Sequence, residues 1–215
     1  MKMIRLLVTL IALLAPGTTF ASASEVSSDY PKSLYIVGIG EVQSSGDELK
    51  DRRRAEILAR LEIAKQLRVR VKEESMDIMC EGKTSGLFKA ASECRSSVSS
   101  LIEVTVDEVL VGSRIADTKK DEAKGAYYAV AILPRKEAAA KIENDLKLAI
   151  ERAKDSLNEA RAISDPETKK ALIEKAKEEL IKGIVYESER SALVETKARA
   201  KEIFERLAEE IRKAQ

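Results

Sequence analysis

Hydrophobic and polar positions alternate along residues 34–42. One side of this segment carries Tyr35, Val37 and Ile39, and the other side carries Leu34, Ile36, Gly38, Gly40 and Val42. A period of two is typical of a β-strand whose two faces meet different surroundings. We therefore predict a strand here, with both glycines on the same face.

A helical pattern follows this strand. Ser45 and Glu48 have the spacing of a capping box, in which each side chain satisfies a free backbone donor of the other residue. Apolar side chains then recur at intervals of three and four: Ile57, Leu61, Ala64, Leu67 and Val71. This periodicity predicts a long helix over about residues 47–75. Arg60 and Arg68 lie within the same apolar arc, so we expect the stem of Arg60 to follow the core while its charge reaches water. A buried ion pair or a subunit contact is the alternative for Arg60.

The next part of the chain predicts a hairpin. Residues 76–100 are polar and contain both cysteines, which favours a loop or short helical pieces. Ile102, Val104 and Val106 alternate, and Val109 and Val111 continue with the opposite parity, which predicts a strand over 101–115 with a bulge near Asp107 or Glu108. A polar turn, 117–125, leads to a second alternating segment, 126–133, and the two should pair antiparallel.

The remaining residues predict helices. Pro134 ends the strand and suits a first helical turn. Three apolar stripes follow: Ile142, Leu146, Ala149, Ala153, Leu157 and Ala160; Ile173, Ala176, Leu180 and Ile184; Leu193, Ala200, Ile203, Leu207 and Ile211. Asp165 and Pro166 separate the first two stripes. A weaker break near 186–191 separates the last two, which leaves open whether these helices are continuous.

These elements predict an α+β protein. A three-stranded antiparallel sheet would pack on one long helix, followed by a C-terminal antiparallel helical hairpin or three-helix extension. The expected divisions are a signal peptide at 1–23, an α+β domain at 24–134 and a helical domain at 135–215.

The N-terminal residues indicate export. Lys2 and Arg5 precede an apolar run that ends near Ala15, and the small residues up to Ala23 form a cleavage pattern. The run is too short to cross a bilayer, which takes about 20 residues. We expect cleavage after Ala23, with no lipid-anchor cysteine, no transmembrane segment in the mature chain, and a periplasmic or secreted protein.

The charge balance bears on partners. The chain has 38 basic and 37 acidic residues and no histidine. The leader removes only two bases, so the mature chain is nearly neutral. A nucleic-acid partner is not expected, because it would require a basic excess on one face.

The two cysteines, Cys80 and Cys94, both lie in the exported part. Oxidation is permitted there, and one disulfide closing a short loop is the expected outcome. A metal pair or a redox couple is the alternative, although the spacing is not C-x-x-C and no histidine completes a ligand set.

No catalytic, cofactor or metal site is predicted. Gly38 and Gly40 resemble the start of a dinucleotide loop, but Gln43 stands where the third glycine is needed. We expect the glycines to let a helix lie close to the sheet; phosphate binding, a bulge or a partner contact are alternatives. Without histidine the usual catalytic triads are excluded, whereas lysine bases and carboxylate pairs are not.

Four residues are candidate partner contacts: Arg52, Arg53, Arg60 and Tyr127. The arginine run at 52–54 is expected to be a solvated helix face. The alternative is that it binds anionic glycan or lipid headgroups, which would allow a peripheral membrane contact. Tyr127 and Tyr128 point to opposite faces of their strand, so one is expected in the core and the other toward a partner.

The order of elements resembles a known family. Gly38 and Gly40, the alanine-rich helix from Ala55 to Ala64, and the strand from Ala126 to Ile132 are similar to the 20-kDa envelope lipoprotein family, whose domain is shared with the N-terminal part of flagellar assembly protein T. The resemblance covers about residues 33–146. It implies a dodecin-like unit and a role in envelope or flagellar assembly without catalysis.

These observations favour a non-enzymatic protein-binding or assembly module of the bacterial cell envelope, linked to flagellar or outer-membrane assembly, whose partner is an envelope protein or a second copy. One alternative is a tetratricopeptide-like adaptor that binds peptides through residues 136–215. Another is a hydrolase of envelope material, for which the only support is the abundance of lysines and carboxylates.

Overall fold

The computed structural model describes residues 29–81, 83–88, 90–196 and 198–215. The strands and α-helices follow the order β1 (Tyr35–Gln43), α1 (Glu48–Met76), α2 (Ala91–Leu110), β2 (Arg114–Asp121), β3 (Ala126–Pro134), α3 (Arg135–Ala162), α4 (Pro166–Val194) and α5 (Lys201–Ala214). A π-helical turn (Asp77–Glu81) and a 3-10 turn (Lys83–Leu87) lie between α1 and α2. The described chain is thus α+β, as predicted. The predicted signal peptide, residues 1–23, lies outside the described residues.

The sheet has the order β1-β3-β2, with both pairs antiparallel. Gly38 pairs with Ala131 and Gly40 with Ala129, and these four small residues face α1. A Cβ atom on either glycine would collide with the α1 backbone, at the carbonyl oxygens of Ala59 and Ala55 respectively. The prediction that these glycines let a helix approach the sheet is therefore confirmed.

Helix α1 spans the predicted range, and Ala64, Leu67 and Val71 of the predicted stripe are buried, but its N-terminal half turns a different face to the core. Its buried apolar residues are Ala55, Ala59, Ile63, Ala64, Leu67 and Val71. Ile57 and Leu61, which were predicted to be in the core, are 55% and 51% exposed. The small residues Ala55 and Ala59 allow the close approach to the glycines, and this orientation turns Ile57 and Leu61 outward.

The start of α1 also differs from the predicted capping box. Asp47 is the N-cap, and its carboxylate accepts a hydrogen bond from the Lys50 N–H at 3.1 Å. Ser45 donates from its backbone N–H and its hydroxyl to the Asp51 carboxylate, both at 2.7 Å, and these bonds hold the pKa of Asp51 below its usual value. Asp51, one turn further along, takes the role assigned to Glu48.

The prediction of a strand over 101–115 was wrong for most of that segment. Residues Ala91–Leu110 form α2, and the strand begins only at Arg114. Cys94, Val98, Ile102, Val106 and Val109 recur at helical spacing and are all buried, whereas Val104 is 58% exposed. An antiparallel hairpin is present, but its first strand is β2 at Arg114–Asp121 and not the predicted 101–115, while the second strand β3 is as predicted. Its irregularity lies between Ile115 and Asp117 instead of at Asp107 or Glu108, and its strand β2 runs on to Asp121, so that most of the predicted turn at 117–125 is extended.

Helices α3 and α4 are joined by three residues and pack against each other. All six residues of the first predicted stripe and all four of the second are buried. Asp165 is the N-cap of α4 and accepts from the Thr168 N–H at 2.9 Å. The weak break expected near 186–191 is absent, because α4 continues through it to Val194, but the last two helices are not continuous, since α5 starts at Lys201. The chain turns at Glu195, which adopts the left-handed conformation with φ 54°.

Arg135 connects the sheet to the C-terminal helices. Its guanidinium donates to the Lys32 carbonyl oxygen at 2.8 Å and to the Leu193 carbonyl oxygen at 2.8 Å, and it pairs with Glu195 at 3.0 Å. The last carbonyl oxygens of a helix lack hydrogen-bond donors within the helix. Arg135 supplies such donors at the C-terminal end of α4. One hydrophobic core is continuous from β1 through α5.

Candidate functional site

The four predicted contact residues separate into two groups. Arg52, Arg53 and Arg60 are exposed on α1, and Arg52 forms an ion pair with Glu56 at 3.3 Å. Arg60 is exposed, as expected for a charge that reaches water, so the alternative of a buried ion pair is wrong. The assignment of Tyr127 to a partner surface needs correction: it pairs with Val42 on the sheet face toward α1 and is 4% exposed. Tyr127 is the core member of the tyrosine pair, and Tyr128 is the more accessible one.

The predicted disulfide is present. Cys80 in the π-helical turn is bonded to Cys94 in the first turn of α2, with the Cα atoms 6.0 Å apart. The bond fixes the connection between α1 and α2, so it positions the outer faces of these two helices relative to each other.

The exposed side of α1 combines basic and apolar residues. Along this side lie residues mostly three or four positions apart, with Ile57 and Leu58 adjacent, which we call the basic face: Lys50, Arg54, Ile57, Leu58, Leu61, Lys65, Arg68 and Lys72. Five of these residues are cationic, three are large and apolar, and none is acidic. Leu58 is 42% exposed, although the adjacent residue Ala59 packs tightly on the sheet. Exposed apolar residues grouped on one helix face are typical of a binding surface.

The neighbouring helix has the opposite charge. Glu103, Val104, Asp107, Glu108 and Val111 lie on the exposed side of α2 and are called the acidic face. Val111 is 81% exposed. Arg68 of the basic face bonds to Asp107 of the acidic face at 2.8 Å. Because that bond joins outward-facing side chains of both helices, the two faces adjoin.

A second polar group lies inside the protein near the end of α4. Glu187 and Arg190 form a buried ion pair with two bonds of 2.8 Å. The same Glu187 carboxylate accepts the backbone N–H groups of Arg199 and Ala200 at the start of α5. Burial would raise the pKa of Glu187, but Arg190 and these donors outweigh burial and hold the pKa below its usual value. This cluster therefore anchors α5 and is satisfied within the fold.

Glu189, one helical position before Arg190, was missed by the sequence reasoning. The polar residues 187–191 suggested a helix break, and the break removed them from the core. A signal was available: Ile181 and Val185 are buried beside the predicted stripe of Leu180 and Ile184, which shows that α4 is packed on two sides. Glu189 continues this second stripe at the next interval of four and is 2% exposed.

The described residues contain no group of three or more His, Cys, Asp or Glu side chains arranged to hold a metal ion. No helix in the described ranges is long and apolar enough to cross a membrane. Comparison with known proteins adds no relative: the chain matches no protein-family model, no curated protein and no solved structure.

Proposed function

We propose that the protein is a non-catalytic, protein-binding assembly module of the bacterial cell envelope, which acts after export to the periplasm. Its first partner is a second copy of the same chain, whose acidic face contacts the basic face. The export pattern and the resemblance to the envelope lipoprotein family support the compartment and the role.

The observation that carries the proposal is the pair of adjoining, oppositely charged faces. A two-fold axis that runs along the boundary between them would place the basic face of each copy opposite the acidic face of the other. Such an interface is isologous, so it closes after two copies. Complementary charge sets orientation and speeds association, while the apolar residues supply affinity.

The apolar contribution can be sized from exposure. Ile57, Leu58 and Leu61 are each about half exposed. Complete burial of such a side chain contributes about 1.5–3 kcal/mol, so covering the exposed halves of these three contributes about 3 kcal/mol. That is modest against the cost of association. We therefore expect a concentration-dependent dimer that weakens at high ionic strength.

The proposed dimer uses the finer predicted architecture. In it, the sheet and α1 form a dodecin-like unit, and the helices from residue 135 form a hairpin extension that supports α1 and α2 from the inner side. Arg135 and the buried Glu187–Arg190 pair would keep this support rigid.

Charge reversal tests the proposal. One variant, R54E/K65E, lowers the net charge of the basic face from +5 to +1, and a second variant, E103K/E108K, changes that of the acidic face from −3 to +1. Each variant alone should be monomeric, because the first loses most of the attraction across the axis and the second replaces the attraction with repulsion. An equimolar mixture should form a heterodimer, since the unchanged acidic face of the first chain then meets the unchanged basic face of the second.

The control is K170E/K175E, which makes the same charge change on the exposed side of α4. This control should dimerise like the wild type. If the two face variants stay monomeric when mixed, the proposed pairing is wrong. If wild type is monomeric and R54E/K65E loses binding to vesicles containing anionic lipid, the basic face is a membrane contact and the dimer proposal fails.

A further inference from the structure

A cavity of about 120 Å³ lies where α2, α3 and α4 meet. Its walls are largely apolar and are formed by Val109, Leu133, Pro134, Ala138 and Ile142. Glu108, Glu137 and Lys141 are exposed at its rim, Asp145 is half-buried, and Glu189 is buried. The cavity therefore has a wet, charged mouth, a hydrocarbon wall and a carboxylate inside.

Glu189 is the unusual member of this lining. Both of its carboxylate oxygens are buried, and neither has a hydrogen-bond partner in the described parts of the chain. The Thr105 hydroxyl lies near enough to Glu189 to lower its pKa, but its hydrogen bond goes to the Ile102 carbonyl oxygen at 3.4 Å, so it does not satisfy the carboxylate. Buried polar groups in proteins are nearly always hydrogen-bonded, because a buried group without a hydrogen bond keeps the full cost of its removal from water. The exception points to a donor that enters from the cavity.

The charge around the cavity favours a cation. Burial raises the pKa of Glu189 to about 8, partly offset by the Thr105 hydroxyl, and the charges of Glu108 and Asp145 raise it further. The pKa of Tyr186, which also lines the cavity, is raised by burial and by Glu108, Asp145 and Glu189 among its acidic neighbours. Lys141 is the one basic residue among the lining side chains and lies at the rim.

We propose that this cavity is a binding site for a primary alkylammonium group, whose hydrocarbon stem lies along the apolar walls and whose nitrogen donates to Glu189. A cavity of about 150 Å³ holds a benzene ring, so a slightly smaller one accommodates the five heavy atoms of a butylammonium group. Ammonium presents three donors and no acceptor, which matches two unpartnered carboxylate oxygens. A hydrated metal ion would leave the apolar walls unused.

Two sources share this chemistry: a free alkylamine and a lysine side chain of a protein. A free diamine has a second ammonium, which would reach the acidic rim at Glu108 and Glu137. A lysine carries peptide groups there instead. The cavity shares Glu108 with the acidic face, but Glu189 is buried inside it and belongs to neither face, so E189Q leaves the charges of the proposed dimer interface unchanged.

Binding is expected to be linked to protonation. Below a pH of about 8 the unliganded Glu189 holds a proton, and this proton passes to solvent when the ammonium ion binds to the carboxylate. Glu108 from α2, Glu137, Lys141 and Asp145 from α3, and Tyr186 from α4 are the other titratable groups at the cavity. Affinity should therefore increase as pH rises from about 6 to about 8, with one proton released per ligand on the acid side.

The test uses n-butylammonium chloride and follows binding to the full chain by calorimetry and by methyl NMR shifts at Val109 and Ile142. The wild type should bind it, n-butanol of the same shape should bind at least about tenfold more weakly, and the E189Q variant should lose about tenfold or more in affinity. E159Q, an exposed carboxylate on α3, is the matched control and should bind like wild type. D145N should weaken butylammonium binding less than E189Q does, and it tests the acidic lining of the cavity if E189Q does not fold.

Putrescine and a blocked Gly-Lys-Gly peptide separate the two sources: tighter binding of the diamine indicates a free amine, and tighter binding of the peptide indicates a lysine side chain. Equal binding of butanol and butylammonium, unchanged affinity in both E189Q and D145N, or preferential binding of calcium would each overturn the proposal. Failure of wild type to bind any of the three amine probes would also overturn it.

Discussion

Replacement of Gly38 by alanine should destabilise the protein strongly, because the sheet and α1 touch through their backbones at this point. A Cβ atom at residue 38 would lie 2.9 Å from the Ile63 Cγ1 atom, and closer still to the Ala59 carbonyl oxygen. Ordinary contacts of a Cβ atom begin at about 3.4 Å. The Ala59 oxygen belongs to the backbone of a 29-residue helix, so no rotamer change relieves the clash and the helix must move away from the sheet.

The expected cost of G38A follows from that displacement. Overpacking a well-packed core costs about 1–3 kcal/mol, and a shift of α1 also opens the neighbouring contact at Gly40. We therefore expect a loss of about 3 kcal/mol in the free energy of unfolding. The change opposes the general gain of about 0.5–1 kcal/mol that alanine brings over glycine inside a regular element.

Urea unfolding followed by far-UV circular dichroism measures this loss. G183A is the matched control, since a Cβ atom there would meet its nearest neighbour, the Phe204 ring, at 3.5 Å, which is ordinary contact. Gly183 is in the middle of α4, so G183A should be neutral or stabilising by up to about 1 kcal/mol. Equal stability of G38A and G183A would refute the close-contact reasoning.

Three further outcomes are expected. Burial raises the pKa of Glu189 in the folded chain, so the free energy of unfolding should fall as pH rises from about 4.5 to about 8, by at most about 1.4 kcal/mol per pH unit. Thermal melts across this range should show a weaker decline for E189Q than for wild type. An identical decline in the two proteins would contradict the assignment. R135M should cost about 3 kcal/mol in urea unfolding, because it leaves the carbonyl oxygens of Ala192 and Leu193 without their donor, whereas R53M on the exposed side of α1 should cost little. Thiol titration of the exported protein should find no free thiol, and C80A/C94A should lower stability by about 3 kcal/mol; two titratable thiols would refute the disulfide.

Local patterns in the sequence predicted much of the fold. The period-two segment at β1, the two glycines on its inner face and the Asp165-Pro166 helix start each depend on neighbouring residues, and each was confirmed. The same holds for the apolar stripes of α3 and α4. These features depend on local backbone geometry and on burial of one side of an element, and the periodicity of apolar residues in the sequence indicates both.

The failures have a common physical cause. Residues 102–106 alternate like a strand, yet Val98, Ile102 and Val106 also repeat every four residues, and tertiary packing against α1 selected the helix. The change of parity after Val106, which predicted a bulge, is a sign of helical spacing. β-Branched residues favour a strand by propensity, so the choice between strand and helix in this segment depends on the surface against which it packs.

The site was less predictable than the fold. Arg54 and Lys65 belong to a coherent basic face only because α1 rotates so that Ala55 and Ala59 meet the sheet. Glu189 follows Ile181 and Val185 at intervals of four, but that signal extends to Glu189 only if α4 continues through the polar segment 187–191. Both depend on which side of a helix is covered, and that is set by residues distant in sequence.

The mass of the purified exported protein in solution tests the central claim most directly. Sedimentation equilibrium over a range of concentrations at low ionic strength should give a monomer–dimer equilibrium that shifts toward the monomer at high ionic strength. R54E/K65E should sediment as a monomer under all these conditions. A wild-type mass equal to that of one chain at every concentration, or a dimer unaffected by R54E/K65E, would contradict the account.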